Sequence, residues 1–564
     1  MSWTHLSNHA EILAVHAAYM GFGQIVYFSG DQHDPDNAKD KIIDATRLFD
    51  CSNFTVSNPH SPGFDTFCSG HAFLVAANQT KLLVGGGTEE FPNQGQVLHH
   101  DHFPGLKNCA IFESPSLVAP YGQFGWSKAA SMNPGPLATP QQQPKPDPAK
   151  TGGRWYPTLM TLASGDVIAF SGHPGSSDAA HSNNVPEIFS LKAGPIGAWR
   201  RLAPYTSEQA PGDYDRNALP FYPRVHLLPT GDILCSNRVR ETTWVFKPDV
   251  GPNGGTFAAV CKFPTAPTNE YDIYTKPSVM LPLLHDDVAA NAWVPKILVC
   301  GANTSWVLDL QGWPTNPPKG GGGWQWVPSA EPKNDRNPSP IRRHSVATLL
   351  PTGEVFVTGG IDVSEDTVDD PRLGPTQLDA RAVLDPEIYN PFTRTWEWLK
   401  DPAPTPRNYH TVALLMPDGR VWVAGSDKDA SPGMAARNLD IDIYSPWYYG
   451  NPGRPFVVDA PSLAYPGDEI QIRTTFQDEI TRVVLMRCGS CTHAFNPDQR
   501  YLSLYFERRA GDALMVRMPP NNNIMPPGPY MIFTIRGNDK NLGLPSYGTD
   551  IHVVPERPNG RHQG

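Results

Sequence analysis

The chain has 564 residues, which is enough to bury large cores and more than most single domains contain, so two domains are expected. Only 18% of the residues are charged, whereas 60 are proline and 49 are glycine. This composition disfavours long helices and is typical of many short strands joined by turns. The net charge of −11 and the lack of Lys/Arg runs argue against a nucleic acid or an anionic membrane as partner. No apolar stretch is long enough to span a bilayer.

The start of the chain, MSWTHLSNHAEILAVHAAYM, has no basic region, no clean apolar core and no small-residue cleavage site. It is therefore not predicted to be a signal peptide. The eight cysteines are dispersed through the sequence rather than arranged as a disulfide framework. Together these features favour a reducing, cytoplasmic setting for the chain.

One pattern recurs along the chain: an apolar strand, a Pro- or Ser-bearing turn that ends in glycine, and a second apolar strand. It is clearest around Gly165, Gly231, Gly353 and Gly419, whose spacings are 66, 122 and 66 residues. The long interval equals two repeats of 61 residues, which predicts a hidden copy near residue 292; the segment KILVCGANTSWVLDL begins at Lys296. Two earlier copies are GQIVYFSGD and TKLLVGGGTEEF.

Most copies continue into a third strand and a fourth strand that carries Trp or another bulky residue, as in EIYNPFTRTWEWL. Seven such repeats predict an all-β fold, a seven-bladed β-propeller over residues 1–450. A β-sandwich with similar turns by chance is disfavoured by the four close turns and the located copy. Six apolar segments, from QIRTTF to DIHVV, predict a small β-sandwich over residues 451–564. The Pro-rich segments around 132–150 and 314–340 are expected to be surface loops.

The inner strands of a propeller surround its axis, so their first residues should meet at one mouth. The residues nine positions before the turn glycines, with one neighbour, are Tyr156, Tyr222, His344, His410 and Tyr409. In the second repeat we place His71 at this position, three residues after Cys68. A single buried Tyr, His or Cys is usually a packed core residue. Several at one register favour a site for copper, iron or zinc.

The chain resembles the copper-radical oxidases, the family of galactose oxidase and glyoxal oxidase. The motifs that carry the resemblance are FCSG at 67–70, RWYPT at 154–158, RNYHTVALLMPDGR at 407–420 and THAFNPDQR at 492–500. RWYPT is closer to the glyoxal oxidase branch. The resemblance implies that the propeller is of the kelch type and that the C-terminal sandwich is immunoglobulin-like, of the early-set class.

The resemblance also implies a site. Tyr156, Tyr409, His410 and His493 would bind one copper ion, with His493 supplied by the sandwich. Tyr156 would be crosslinked to the sulfur of Cys68, and this thioether would let the tyrosine hold a radical. Tyr409 would take the hydroxyl proton of a bound alcohol, and the Tyr156 radical would abstract hydrogen from the carbinol carbon while copper takes an electron. Dioxygen would then reoxidise the site and be released as hydrogen peroxide.

Two features depart from the family pattern or stand outside it. Galactose oxidase stacks a tryptophan over the crosslinked tyrosine, whereas the equivalent stretch here is SGHPGSS. Three roles are open for His173 in this stretch: shielding the radical, forming a hydrogen bond to substrate, or only forming a turn. Cys488 and Cys491 form a CxxC pair, interpreted as a small disulfide, as free thiols that brace the His493 loop, or as a transient copper-loading pair. The residues expected to line the pocket, as substrate contacts or as wall, are His71, Trp155, Tyr222, Arg343 and His344.

The sequence therefore predicts an oxidase of primary alcohols or of aldehydes as their hydrates. Its expected cofactors are copper and a Cys68–Tyr156 thioether radical, with dioxygen as co-substrate. The expected partner is a small molecule, with no nucleic acid and no membrane, and the chain is expected to be a monomer. The alternatives are a non-catalytic kelch-type propeller that binds a protein or glycan, and a copper protein that matures poorly and lacks radical activity.

Overall fold

The regular structure of the computed structural model consists of β-strands, and the described residues contain no α-helix. Short 3₁₀ turns occur at Leu191–Ala193 and Gln477–Glu479. The structure describes residues 2–30, 45–76, 79–89, 103–113, 125–133, 151–176, 182–202, 219–239, 242–248, 254–264, 275–285, 293–302, 304–315, 317, 323–331, 341–362, 381–428, 436–537 and 542–555. No helix in these segments is long and apolar enough to cross a membrane.

The strands that precede the C-terminal region are short, as the abundance of proline and glycine predicts. In chain order they are β1 (Ser2–Leu6), β2 (His16–Gly21), β3 (Gln24–Phe28), β4 (Thr46–Asp50), β5 (Val56–Ser57), β6 (Gly70–Ala76), β7 (Gln79–Gly85), β8 (Cys109–Glu113), β9 (Gly125–Lys128), β10 (Thr158–Thr161), β11 (Val167–Phe170), β12 (Glu187–Ser190), β13 (Ala198–Arg201), β14 (Val225–Leu227), β15 (Ile233–Val239), β16 (Thr242–Lys247), β17 (Thr256–Lys262), β18 (Ser278–Met280), β19 (Lys296–Val299), β20 (Trp306–Asp309), β21 (Trp326–Pro328), β22 (Arg342–Arg343), β23 (Val346–Leu349), β24 (Val355–Thr358), β25 (Ile361–Asp362), β26 (Glu387–Asn390), β27 (Thr395–Trp398), β28 (Thr411–Leu415), β29 (Val421–Gly425), β30 (Asp427–Lys428), β31 (Ala436–Arg437) and β32 (Ile441–Ser445).

These strands form one antiparallel sheet for each predicted repeat. The sheets are β2–β5, β6–β9, β10–β13, β14–β17, β18–β21, then β23, β24, β26 and β27, and finally β28, β29, β32 and β1. The predicted degenerate copy at Lys296 is confirmed as β19, the second strand of the fifth sheet. The last sheet takes its outer strand from the start of the chain, with Ser2 opposite Ser445 and Leu6 opposite Ile441.

The sheets follow one another in space as they do in sequence. Inner strands touch between β6 and β10, β10 and β14, β18 and β23, and β23 and β28, and β2 contacts both β7 and β28. Between the fourth and fifth sheets, His226 Nε2 lies 2.7 Å from Ser278 Oγ. The first and last sheets are thus neighbours. A seven-bladed propeller, as predicted, requires each sheet to contact the next and the last to contact the first.

The turn glycines explain why the hairpins of several sheets share one shape. The turn glycines have positive φ angles, from 83° at Gly165 to 94° at Gly353, a region that glycine enters without the steric cost of a Cβ. At Gly353 an added Cβ would lie 2.8 Å from the Phe392 ring. These turns join the first and second strands of their sheets, as the sequence pattern predicts.

Buried ion pairs fix the segments that enter the inner strands. In each case an arginine just before an inner strand bonds an acidic residue on the next-but-one strand of its own sheet; the pairs are Arg154–Glu187 at 2.9 Å, Arg342–Glu387 at 3.3 Å and Arg407–Asp442 at 2.6 Å. Removing one partner of such a pair leaves an uncompensated buried charge, which is strongly destabilising. The strand heads are therefore anchored to their own sheets.

The C-terminal region forms two further sheets, as predicted. Its strands are β33 (Val457–Asp459), β34 (Leu463–Ala464), β35 (Glu469–Thr474), β36 (Ile480–Arg487), β37 (Ser490–Thr492), β38 (Arg500–Leu504), β39 (Phe506–Arg509), β40 (Ala513–Arg517), β41 (Gly528–Arg536), β42 (Leu544–Pro545) and β43 (Thr549–Val553). One sheet has the order β33-β35-β40-β39, and the other has β34-β43-β41-β36-β38 with β42 on β41.

Strand β37 leaves the C-terminal sheets and joins the first sheet instead. It pairs with β2, so that Thr492 lies opposite His16 and Ser490 opposite Ala18. We call residues 488–499 the insertion segment. It brings His493 to the heads of the inner strands, as predicted. Most of the two Pro-rich segments lies outside the described residues.

Candidate metal centre

The predicted strand-head residues share an unusual backbone conformation. Their φ angles are positive, between 46° and 65°, at Cys68, Tyr156, Tyr222, His344 and His410. Residues with a Cβ rarely adopt this conformation, which costs on the order of 1–3 kcal/mol each and persists where the surrounding structure enforces it. The repetition of this strained position in five sheets marks it as the place where the fold positions side chains.

Backbone hydrogen bonds connect these positions from one sheet to the next. The Tyr156 N–H donates to the Cys68 carbonyl at 2.9 Å, and the Tyr222 N–H donates to the Tyr156 carbonyl at 2.8 Å. His71 was predicted at this register in the second repeat, and that prediction is wrong. Cys68 holds the position, because β6 begins at Gly70 and His71 is already its second residue.

The five side chains predicted to form the metal centre come together. The ligand atoms of Cys68, His410 and His493 all lie within 4.8 Å of one another, and Cys68 Sγ is 3.8 Å from His493 Nε2. The hydroxyls of Tyr156 and Tyr409 are in hydrogen-bond contact. The His493 ring centroid is 4.8 Å from those of both His410 and Tyr156.

The donor set fits copper. All five side chains are buried, Tyr409 being the most accessible at 7%. Imidazole nitrogens are suitable ligands for copper, and a coordinating tyrosine is favoured in its anionic form. Burial lowers the pKa of His493 well below its usual value, and the neighbouring His410 adds to the effect. Burial also lowers the pKa of His344, and the positive charge of the neighbouring Arg343 lowers it further. Neutral imidazoles offer a lone pair to a metal.

Thr492 sets the tautomer of His493. Its hydroxyl donates to the Val15 carbonyl at 3.0 Å, and the same oxygen lies 2.6 Å from His493 Nδ1. A hydroxyl has one proton, so toward His493 it must accept, which places the imidazole proton on Nδ1. The lone pair is then on Nε2, the nitrogen that faces Cys68. A metal-binding histidine is commonly oriented by such a hydrogen bond at its other nitrogen.

A second contact fixes the backbone of the same histidine. Arg224 Nη2 donates to the His493 carbonyl at 2.8 Å. His493 and Ala494 have positive φ angles of 46° and 64°, so this tight turn needs such support. Neither Arg224 nor Thr492 was predicted from the sequence as part of the site. Thr492 directly precedes the ligand within the THAFNPDQR motif, and the need for a partner at Nδ1 could have identified it.

The aromatic ring stacked on Tyr156 is that of the preceding residue, Trp155. Their ring centroids are 3.7 Å apart with an angle of 11° between planes. Phe103 and Phe221 meet the Trp155 ring edge-on, at 5.3 and 5.6 Å. His173, considered above as a shield, pairs with Trp155 through the backbone instead, each N–H donating to the other's carbonyl at 2.7 Å.

The remaining residues expected in the pocket surround the cluster. The Tyr222 ring stacks on His493 at 4.3 Å, and its hydroxyl donates to the Ser69 carbonyl at 2.7 Å. The His344 ring lies 4.7 Å from that of Tyr409. Arg343 is buried beside His344, in the short ladder of β22 and β25. Tyr222 and His344 are therefore in direct contact with predicted ligands.

Cys488 and Cys491 are free thiols, as one of the interpretations of the CxxC pair proposed. Both are buried within the insertion segment. Burial raises the pKa of the Cys491 thiol to about 12, which keeps it protonated and unreactive at neutral pH. Their position is consistent with packing that supports the His493 loop.

Comparison with known proteins identifies two family models along this chain. Residues 148–448 match the glyoxal oxidase N-terminus, and residues 454–553 match the galactose oxidase-like early set domain. The aldehyde oxidase GLOX of Vitis pseudoreticulata is 27% identical over 436 residues, 72% of each chain. Galactose oxidase of Gibberella zeae is 30% identical over 219 residues, which cover 38% of this chain and 29% of that enzyme.

A solved structure extends the likeness to almost the whole chain. The structure of a fungal alcohol oxidase of the AA5 family, in complex with copper, matches with a TM-score of 0.68 and 18% sequence identity. The match covers 98% of this chain and 99% of that one. At this identity the match establishes the fold shared by the two proteins.

Proposed function

Because the chain belongs to the family of glyoxal oxidase and galactose oxidase, we propose that it is a copper-radical oxidase of primary alcohols or of aldehydes as their hydrates. Dioxygen is the second substrate, and hydrogen peroxide is the second product. The observation that carries the proposal is the convergence of Cys68 and His410 with His493, which arrives from the insertion segment. The two tyrosine hydroxyls that meet beside them complete the donor set.

The fold supports this proposal at the level of domains. We propose that the seven sheets close into a kelch-type β-propeller over residues 1–450 and that residues 451–564 form the sandwich that delivers His493. The contact of β2 with β28 and the pairing of β1 with β32 support closure. We further propose that a single chain is sufficient for activity, because all five side chains belong to it.

The proposed ligands are Tyr156, Tyr409, His410 and His493. Copper bound there would accept one of the two electrons removed from substrate. Tyr409 receives the substrate hydroxyl proton, and Tyr156 receives the hydrogen atom from the neighbouring carbon. The contact of the two tyrosine hydroxyls supports these neighbouring roles. Trp155 covers the face of Tyr156 and excludes water from it.

Cys68 is proposed to form a thioether with the ring of Tyr156. Its sulfur is fully buried within the cluster, and its carbonyl accepts the Tyr156 N–H. Formation of the carbon–sulfur bond removes one hydrogen from the thiol and one from the ring, with dioxygen as oxidant. A sulfur substituent makes the phenol easier to oxidise than an ordinary tyrosine, so the crosslink suits a residue that stores one oxidising equivalent.

The proposal is tested on copper-loaded, full-length protein. Peptide mapping should recover Cys68 and Tyr156 in one crosslinked species that lacks two hydrogen atoms relative to the separate peptides. A peroxide-coupled assay over small alcohols, aldehydes and sugars should then identify substrates. Unlinked peptides together with no peroxide from any substrate would favour the non-catalytic propeller, which the comparisons do not favour.

Two variants separate the roles of the sulfur and the metal ligand. Cys68→Ser should retain copper but lose most of its oxidase turnover, because serine cannot form the thioether. His493→Ala should weaken copper binding, measured by competition with a chelator. Unchanged turnover in Cys68→Ser would remove the crosslink from the mechanism. The third alternative, a copper protein without radical activity, rested on the missing tryptophan, and the stacked Trp155 removes that reason.

A further inference from the structure

A second pair of buried imidazoles lies next to the proposed copper centre and has no role in the proposed reaction. His16, at the start of β2, and His71, in β6, are 0% and 3% exposed. Their ring centroids are 5.3 Å apart, with the planes almost perpendicular. The His16 ring is also 5.9 Å from that of His493. Three histidines from three distant parts of the chain thus form a continuous row.

Most of the nitrogens of this pair lack protein partners. Neither nitrogen of His16 makes a hydrogen bond with a described residue, and the His71 ring has one backbone contact, with Cys491. A buried polar atom without a hydrogen bond costs about 1–3 kcal/mol, and here at least three such atoms belong to two adjacent rings. Unsatisfied groups this close together indicate that something outside the chain binds between them.

The surroundings favour a metal ion over water. Phe28 stacks on His16 at 4.9 Å and meets His71 edge-on at 5.6 Å, so an aromatic wall borders the pair. A point between the two rings is reached by one nitrogen from each, so a water there would have two polar partners, the lower limit for a buried water. Imidazole lone pairs, in contrast, are good ligands for copper.

The number of ligands selects the oxidation state. Among the described residues, no third His, Cys or carboxylate forms a metal-sized cluster with this pair. Structural zinc sites use four protein ligands, so zinc does not fit. Copper(I), which has a filled d shell and binds readily to two ligands, is satisfied by two imidazoles.

We propose that His16 and His71 bind one copper(I) ion in a two-coordinate site beside the oxidase centre. The inference rests on the proposed function for the choice of copper as the ion. Because the His16 ring lies close to that of His493, the pair can hold the ion before the oxidase centre takes it up. The ion would pass across by replacing one imidazole ligand at a time.

The test counts copper(I) ions on full-length, metal-free protein titrated without oxygen against a colorimetric copper(I) chelator. The wild-type chain should bind two ions. His16→Phe and His71→Phe should each bind one, because phenylalanine preserves the aromatic packing but provides no lone pair. His226→Gln is the matched control, a buried histidine that already has a partner in Ser278, and it should bind two. X-ray absorption of the protein with both ions should show a two-nitrogen component that His16→Phe lacks.

The outcomes distinguish this inference from the proposed function. Equal stoichiometry in wild type, His16→Phe and His71→Phe would overturn the second site and indicate that water alone fills it. One ion in wild type that is lost only in His410→Ala would also overturn it, while leaving the oxidase centre intact. One ion that is lost only in His16→Phe would instead overturn the oxidase centre. If a phenylalanine variant does not unfold cooperatively, His16→Gln and His71→Gln provide the same comparison.

Discussion

At the scale of single residues, the site depends on groups that prepare the ligands as much as on the ligands. Thr492 and Arg224 hold the side chain and the backbone of His493, respectively. Trp155 covers the ring that is proposed to hold the radical. Each of the three acts through a different physical property: one hydrogen-bond acceptor, one cationic donor and one aromatic face. Substitutions at these positions should therefore have separable effects.

Thr492→Val should lower copper affinity by roughly 10- to 100-fold, because the isosteric valine removes the acceptor that keeps the proton on His493 Nδ1. Thr492→Ser retains the hydroxyl and should bind copper nearly as the wild type does. Competition with a chelator at fixed pH measures both affinities. A valine variant with wild-type affinity would show that the tautomer is set elsewhere.

Trp155→Leu should shorten the lifetime of the oxidised centre, while copper affinity stays unchanged. A stacked aromatic pair contributes about 1 kcal/mol beyond its buried area, equivalent to roughly fivefold, and its loss also opens the Tyr156 face to water. The decay of the radical absorption after chemical oxidation measures the lifetime. Trp199→Leu, in an outer strand of the same sheet, is the control and should decay as the wild type does. Equal decay in both variants would remove Trp155 from radical protection.

Tyr156 and His410 could be located from their spacing to the turn glycines, whereas Cys68, Tyr409 and His493 were predicted as ligands or crosslink partner from the motifs that resemble the family. Trp155 was expected to line the pocket, as a substrate contact or as wall. Its stacking on Tyr156 was not predicted, because a stack between neighbours in sequence depends on the positive φ angle of Tyr156, which no motif reveals. His71 was assigned the wrong register because the second repeat has no glycine between β6 and β7 from which to count.

At the scale of elements, the insertion segment is held by the carboxylate of Asp498. This carboxylate forms a buried ion pair with Arg487 of β36, accepts the Ser490 hydroxyl of β37 at 2.5 Å, and lies 3.2 Å from Thr161 Oγ1 of β10. One side chain thus connects the C-terminal sheets, the inserted strand and the third sheet. The connection explains how a loop between two sandwich strands holds a ligand in a fixed place.

Asp498→Ala should lower the free energy of unfolding by about 3–5 kcal/mol, because it leaves the Arg487 charge buried without its partner. Urea denaturation of the metal-free protein measures the change. Asp478→Ala is the matched control, an exposed carboxylate in the same region, and it should stay close to wild type. A loss below about 1 kcal/mol at position 498 would mean that Arg487 finds another partner or water.

The strands and their order could largely be predicted, whereas two pairings could not. Alternating apolar segments and turn glycines locate β10, β11 and their counterparts, and the repeat length locates β19. The pairings of β1 with β32 and of β37 with β2 join segments more than 400 residues apart in one case and more than 450 in the other. Local pattern carries no information about such partners, so only the three-dimensional structure shows them.

At the scale of the whole molecule, acid should destabilise the fold through buried neutral histidines. Burial lowers the pKa of His226 to about 3 and that of His552 to about 4. The unfolded chain therefore binds more protons than the folded chain between these values and the usual 6.5 or so, and stability falls as the pH drops through that window. Asp550 opposes the trend, since burial raises its pKa to about 6, but burial lowers the pKa of further histidines as well, among them His71 to about 4.

His226→Gln should reduce the pH dependence of the free energy of unfolding by about 1.4 kcal/mol per pH unit between roughly pH 6 and pH 4. Glutamine does not titrate, and it can retain a hydrogen bond to Ser278. Urea denaturation of metal-free protein at several pH values gives the slope for both proteins. Parallel slopes would show that His226 takes up its proton in the folded state at about its unfolded pKa, contrary to the effect of its burial.

The pairing of β37 with β2 has a consequence for how the protein is made. A nascent chain synthesises the partner strand first and its complement hundreds of residues later, so the inner edge of the first sheet stays uncovered until the insertion segment leaves the ribosome. His493 emerges after every other proposed ligand. The proposed oxidase centre therefore cannot be completed on a half-made chain, because its last ligand arrives only after the other three have been synthesised.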